Sequence, residues 1–146
     1  MSYLLDTNVI SEPTMPRPDA GVVAWLAAAD EDEVFICAIT IAELRYGIQR
    51  LGGGKKRTLL DTWLQQDLRR RFEGRILPID ANAADMCGRL IAKSESKGRP
   101  LEIRDACIAA CAEIHGLTLV TRNVSDFETI VGSIVTPWAK SGAKSR

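Results

Sequence analysis

Four short apolar runs punctuate the chain, and they are nearly continuous instead of alternating with polar residues. They are Tyr3-Leu4-Leu5, Val34-Phe35-Ile36-Cys37-Ala38-Ile39, Ile76-Leu77-Pro78-Ile79 and Leu117-Thr118-Leu119-Val120. A strand with one wet face alternates; a continuous run needs cover on both faces. That requirement predicts a buried sheet with helices above and below it. Ser133-Ile134-Val135-Thr136 adds a weaker fifth strand at an edge, because Pro137 stops it.

Helical spacing fills the intervals. Val22, Val23, Trp25, Leu26 and Ala29 make one apolar face. Ile41, Leu44, Ile48 and Leu51 make a second, which ends at Gly52-Gly53-Gly54. Leu59, Leu60, Trp63, Leu64 and Leu68 make a third. A fourth runs through Ala83, Met86, Cys87, Leu90 and Ile91 to Gly98 and Pro100, and a fifth, rich in small residues, from Ala106 to Ala112 before Gly116. Strands alternating with helices imply an α/β fold with a parallel sheet and right-handed crossovers. At 146 residues the chain has the length of one domain. We place that domain at residues 1–139 and read 140–146 as a flexible basic tail.

Nineteen basic residues balance nineteen acidic ones. This excludes a uniformly positive coat for gripping nucleic acid, and makes the position of each charge the informative quantity. No apolar run approaches a membrane span. The first residues do not read as a signal peptide, so a cytoplasmic setting without membrane contact is expected. Cys37, Cys87, Cys107 and Cys111 lie in apolar segments without CxxC spacing and read as core residues. A single histidine, His115, argues against a histidine-rich metal site or a Ser-His-Asp triad, and suits the C-terminal end of a helix.

The acids fall at strand ends. Asp6 follows the first strand, Glu43 lies in the first turn of the helix after the second, Asp105 opens the helix before the fourth, and Asp126 shares a loop with Asn123 after it. In an open parallel sheet the carboxyl ends of the strands converge on one crevice. Carboxylates gathered there repel one another and raise each other's pKa. A hard divalent cation relieves that repulsion, and oxygen-only ligands favour Mg²⁺ or Mn²⁺ over zinc. Such a metal neutralises charge on a phosphodiester during in-line displacement and needs no protein nucleophile.

Each acid also has a purely structural role open to it. Asp6 in Asp-Thr-Asn is turn chemistry. Thr40-x-x-Glu43 has the spacing of a capping box. Asp105 suits a helix N-terminus, and Asp126 suits the cap of a short helix. Asp80, after the third strand, reads as an N-cap. Trp25 and Trp63 read as core, and Trp138 as cover for a sheet edge or a partner. Gly52-Gly53-Gly54-Lys55-Lys56 lacks Walker spacing and is no phosphate loop. Lys55-Lys56-Arg57 and Arg69-Arg70-Arg71, with Arg75, read as solvated surface, or as a phosphate-contact rim beside the acids.

Four segments occur in a telling order: Leu4-Leu5-Asp6-Thr7-Asn8-Val9-Ile10-Ser11-Glu12, Thr40-Ile41-Ala42-Glu43-Leu44-Arg45-Tyr46-Gly47, Asp105-Ala106-Cys107-Ile108-Ala109-Ala110 and Leu119-Val120-Thr121-Arg122-Asn123. In that order the chain resembles PIN-domain ribonucleases of the VapC toxin type, in particular their FitB-like branch, from Tyr3 to Trp138. The resemblance implies a three-layer α/β/α sandwich and Mg²⁺- or Mn²⁺-dependent endoribonuclease activity. It implies a toxin role in a toxin–antitoxin pair, a small DNA-binding antitoxin whose C-terminal segment covers the active site, and a homodimer. Asp6, Glu43 and Asp105 fall on the family's first three acids. The family's fourth acid often stands where this chain has Asn123, which leaves that role to Asn123 or Asp126. Thr121 matches a hydroxyl position beside the acids, and Thr7 is assigned a supporting role with it. Two other readings stay open: a catalytically inactive RNA- or protein-binding module, and a phospho-acceptor domain of flavodoxin-like topology. The latter needs a lysine after the last strand, where Lys140 stands late.

Overall fold

A computed structural model describes residues 1–139. The basic tail expected at 140–146, with Lys140, lies outside the described residues. Strands β1 (Tyr3–Leu5), β2 (Val34–Cys37), β3 (Ile76–Leu77), β4 (Thr118–Val120) and β5 (Ile134–Val135) form one sheet in the order β3-β2-β1-β4-β5. Every neighbouring pair is parallel. The expected fifth strand stands at an edge, paired with β4.

The helices are α1 (Thr7–Ser11), α2 (Ala20–Ala28), α3 (Ala38–Gln49), α4 (Lys55–Thr62), α5 (Arg69–Arg71), α6 (Ala81–Ser96), α7 (Ile103–His115) and α8 (Val124–Phe127). A π-helical segment, Trp63–Leu68, joins α4 to α5. Successive strand residues point to opposite faces, and each face has its own core. Leu4 and Leu119 pack with Leu90, Ala106 and Ile108 on the side of α6 and α7. Leu5, Val34, Ile36 and Val120 pack with Val9, Val22, Leu44, Leu64 and Phe72 on the other side. The result is the three-layer α/β/α sandwich.

Two boundaries differ from expectation. β2 stops at Cys37, and Ala38 and Ile39 already belong to α3. Asp6 is followed at once by α1, which Asp-Thr-Asn hid behind its turn chemistry. The caps are closer to expectation. Asp80 accepts from the Ala83 N–H at 2.9 Å as the N-cap of α6. α7 ends with His115 in its last turn and Gly116 left-handed at φ 63°. Leu117 N–H closes that end on the Ala112 carbonyl.

The four cysteines are free and buried. Cys37 and Cys111 bring their sulfurs to 3.3 Å, and Cys87 and Cys107 to 3.9 Å. Burial pushes the Cys107 thiol up to about 12. Trp25 and Trp63 are only partly buried against the core; Trp25 meets Tyr3 edge-on with ring centroids 5.0 Å apart. Trp138 is buried in the α2–α3 side of the core, with the Arg122 guanidinium 5.6 Å over its ring.

Arg71 and Arg75 do not border the acids. Arg71 pairs with Glu31 at 2.5 Å, and Arg75 donates to the Val34 carbonyl at 2.5 Å and to the Arg71 carbonyl. Both guanidinium groups lie over the Phe72 ring. Val34 begins β2, so this stack sits at the amino edge of the sheet, and the phosphate-rim reading fails for these two residues. Among the described residues no helix is long and apolar enough to cross a membrane.

The chain's last described turn is clamped to the start of α2. Asp19 Oδ1 accepts from Val22 N–H at 3.1 Å and from Ala139 N–H at 3.3 Å. A Cβ on Gly21 would collide with the Pro137 carbonyl oxygen. Backbone cannot swing aside as a side-chain tip does, so Gly21→Ala is expected to cost about 1–3 kcal/mol, as overpacking usually does. Urea unfolding of the variant against the parent chain measures it; an unchanged midpoint would contradict the clamp.

Candidate active site

β1 and β2–β3 extend one way across the sheet, and β4–β5 the other, so the strand order reverses between β1 and β4. A crevice opens outside the carboxyl ends at such a switch point. Asp6 stands directly after β1, and Thr121 directly after β4. Asp6 N–H still donates to the Val120 carbonyl at 2.9 Å, so the sheet ladder itself fixes the acid's backbone.

Asp6 is 5% exposed. A buried carboxylate must recover lost hydration from nearby donors. Thr121 Oγ1 donates to Oδ2 at 2.7 Å, Thr7 N–H donates to Oδ1 at 2.7 Å, and Asn8 Nδ2 donates to Oδ2 at 3.3 Å. Asp6 is therefore both a strand-end acid and the N-cap of α1. Desolvation still raises its pKa to about 6, against the lowering effect of Thr121 and Thr7 and with smaller contributions from Asp105 and Glu43.

Glu43 lies deeper in its helix than expected, because α3 begins at Ala38. Thr40 is then inside the helix, and the capping box is replaced by a tertiary contact. Thr7 Oγ1 donates to Glu43 Oε1 at 2.5 Å and lies 2.9 Å from Thr40 Oγ1. A hydroxyl carries one proton, so Thr40 donates to Thr7 as Thr7 donates to Glu43. Arg104 Nη1 approaches the other carboxylate oxygen at 3.7 Å.

Asp105 is the third residue of α7, where the helix dipole favours negative charge. Its side chain is not the cap; Glu102 occupies that position. Burial raises its pKa to about 6, followed by repulsion from Glu43, Asp126 and Glu102, with Arg104 opposing. Asp126 is exposed in the first turn of α8 and lines the same cavity as Asp105. Asn123 takes the N-cap position of α8, and its backbone N–H donates to Thr121 Oγ1 at 3.0 Å. The expected acids thus converge, with Asp6, Glu43 and Asp105 coupled to one another and Asp126 reaching the group through Asp105. Sequence reasoning missed Thr40, Asn8 and Arg104 as partners. Thr40 and Asn8 carried a signal, since each stands within three residues of an acid on the same short motif.

The donor set is oxygen throughout. Among the described residues no three His, Cys, Asp or Glu side chains stand assembled as a metal cage. Mg²⁺ does not require one, since it binds through one or two carboxylates and keeps its remaining waters. Two carboxyls held up near 6, first by burial and then by repulsion from nearby acids, fit such a cation.

An α/β domain with acids at its topological switch point is the class these features define. Residues 3–130 match the family model of the PIN domain. The chain belongs to the PIN-domain family. It is 41% identical over 135 residues to Toxin FitB of Neisseria gonorrhoeae, covering 92% of this chain and 97% of that one. It is 38% identical over 135 residues to VapC ribonuclease Y4jK of Sinorhizobium fredii, covering 92% and 96%. A chain in the solved structure of FitAB bound to an IR36 DNA fragment matches with a TM-score of 0.88 at 38% identity, over 94% of this chain and 96% of that one.

A raised carboxyl pKa has a definite sign in stability. The folded chain holds the Asp6 proton more tightly than the unfolded one, so its contribution to stability falls as pH rises from about 4 through about 6. Asp6→Asn removes that penalty and keeps an acceptor for Thr7 N–H. Without divalent cations the variant is expected to be more stable than the parent by up to about 3 kcal/mol at pH 7, a gain that shrinks to nothing near pH 4. Urea titrations of both chains at the two pH values measure the difference; equal stability at pH 7 would show that Asp6 bears no such strain.

Proposed function

We propose that this chain is the toxin of a toxin–antitoxin pair and cleaves RNA phosphodiester bonds with the help of Mg²⁺ or Mn²⁺. The observation that carries the reading is the hydrogen-bonded placement of Asp6, with Glu43 and Asp105 beside it, at the switch point of a PIN-domain sheet. The names of its relatives, a toxin and a ribonuclease, support the same reading.

Asp6 and Asp105 would hold the cation, with Glu43 completing or orienting its shell and Asp126 or Asn123 assisting. When bound, such an ion supplies charge neutralisation at the scissile phosphate. The chain's own residues prepare the site. Thr121 and Thr7 fix both oxygens of Asp6, so its lone pairs point one way before any ligand arrives. Thr40, through Thr7, holds one oxygen of Glu43, and Arg104 restrains the other. Such pre-orientation removes reorganisation from the reacting step.

RNA is the substrate in this reading. The FitAB neighbour holds a chain of this fold in an assembly on DNA. This chain likewise would be restrained by a small DNA-binding antitoxin laid over its acids, and would pair with a second copy of itself.

Purified chain is expected to cleave RNA with Mg²⁺ or Mn²⁺ and to stop on chelation. Asp6→Asn and Asp105→Asn should each lower the single-turnover rate by roughly 100-fold or more, since losing a transition-state charge contact costs on the order of 3 kcal/mol. Glu43→Gln, which keeps the Thr7 contact, should cost less. Cleavage that survives both chelation and the two aspartate substitutions would sink the assignment.

A further inference from the structure

Arg104, the second residue of α7, breaks a local rule. A helix dipole is positive at its N-terminus and disfavours a cation in the first turn. Arg104 stands there, one residue before Asp105. A charge kept where its own backbone opposes it has either strong partners or a use elsewhere.

Its partners are weak. Nη1 lies 3.7 Å from Glu43 Oε2, and Nη2 lies 3.8 Å from Glu102 Oε1. Both exceed hydrogen-bond distance, so the guanidinium is attracted to two carboxylates and bonded to neither. The Arg104 side chain is 47% exposed and that of Glu102 is 76% exposed. Water screens a pair of that kind, and it contributes little to the fold. Nor is Glu102 spent on the helix, since it stands at the N-cap position without a side-chain cap bond. Glu43 differs: it is 19% exposed, and its other oxygen is already held by Thr7. Arg104 therefore has one sheltered neighbour and one that it can give up.

The crevice supplies the use. Asp6, Glu43 and Asp105 act on one another there, so a phosphodiester brought to them meets a concentration of negative charge. Arg104 is a fixed positive charge at the same place, felt at Asp105 against the surrounding acids. Its planar fork matches two phosphate oxygens at once. We propose that Arg104 exchanges Glu102 for a backbone phosphate of the RNA, keeps Nη1 toward Glu43, and so holds the strand against the acids. Such a contact positions the backbone and carries no base preference. The inference rests on the nuclease reading for RNA as the ligand, but the contact is measured without cleavage.

The test titrates the full chain, in chelator so that RNA stays uncut, into a short fluorescein-labelled oligouridylate and follows anisotropy at several salt concentrations. Arg104→Ala is expected to weaken binding about tenfold, the size of a hydrogen bond to a charged group. The slope of log affinity against log salt should become shallower by about 0.7, the share of one single-strand phosphate. Arg104→Lys should keep the slope and regain part of the affinity. Glu102→Gln should strengthen binding, and that gain should shrink once Arg104 is alanine. The urea midpoint of Arg104→Ala should equal or exceed the parent's, because the dipole penalty leaves with the charge. Unchanged affinity and slope in Arg104→Ala, or the same Glu102→Gln gain with and without Arg104, would overturn the proposal. So would a loss that vanishes in Glu43→Gln, since Arg104 would then act through Glu43 alone. RNA held by Arg104 in a chain that does not cut with Mg²⁺ would uphold the contact and defeat the nuclease reading. Metal-dependent cutting with binding indifferent to Arg104 would do the reverse.

Discussion

The site depends on one constraint: β1 lies in the middle of the sheet with no water on either face. Leu4 and Leu5 are fully buried on opposite sides, one in each core. A strand so enclosed cannot shift register without moving its side chains to the wrong layer. Asp6 inherits that fixity because its own N–H continues the ladder to β4. It also inherits the cost, a carboxyl taken out of water. Thr121, Thr7 and Asn8 offset part of that cost, and a cation would offset more. The same burial that fixes the acid in position raises its pKa to about 6.

Asp6, Glu43, Asp105 and Asp126 gather at the carboxyl end of the sheet, with Arg104 3.7 Å from Glu43. Arg71 and Arg75 gather at the amino end and hold Phe72 between them. Their charge is used locally, on Glu31 and on backbone carbonyls. Net charge is therefore a poor guide to partner in a fold of this kind; the end of the sheet on which a charge sits is the better one.

The sheet, its parallel pairing and its edge strand were legible because a short continuous apolar run leaves water only when both of its faces are covered. Strand-end acids were legible for a related reason, since chain direction alone places them at one end of a parallel sheet. The start of α3 was not. Ala38 and Ile39 continue an apolar run that tertiary packing divides between strand and helix. That single misplacement turned Thr40 and Glu43 into a local capping box, whereas the folded chain links them through Thr7, thirty-odd residues away. Contacts of that kind require two elements to be docked, and spacing within one element cannot reveal them. Arg104 was missed on the same ground, and so was the inward capture of Trp138.

The buried thiols have a practical corollary. All four sit in the core without disulfides, two of them on the helix that carries Asp105. A thiol shielded in this way reacts only when its surroundings open. Alkylation would then act as a clock: where the reagent outruns reclosing, each modified cysteine records one opening event. Mass spectrometry of Cys37, Cys87, Cys107 and Cys111 would show whether α7 comes away alone or together with β2. The chain thus carries its own reporters of how the layer beneath its acids comes apart.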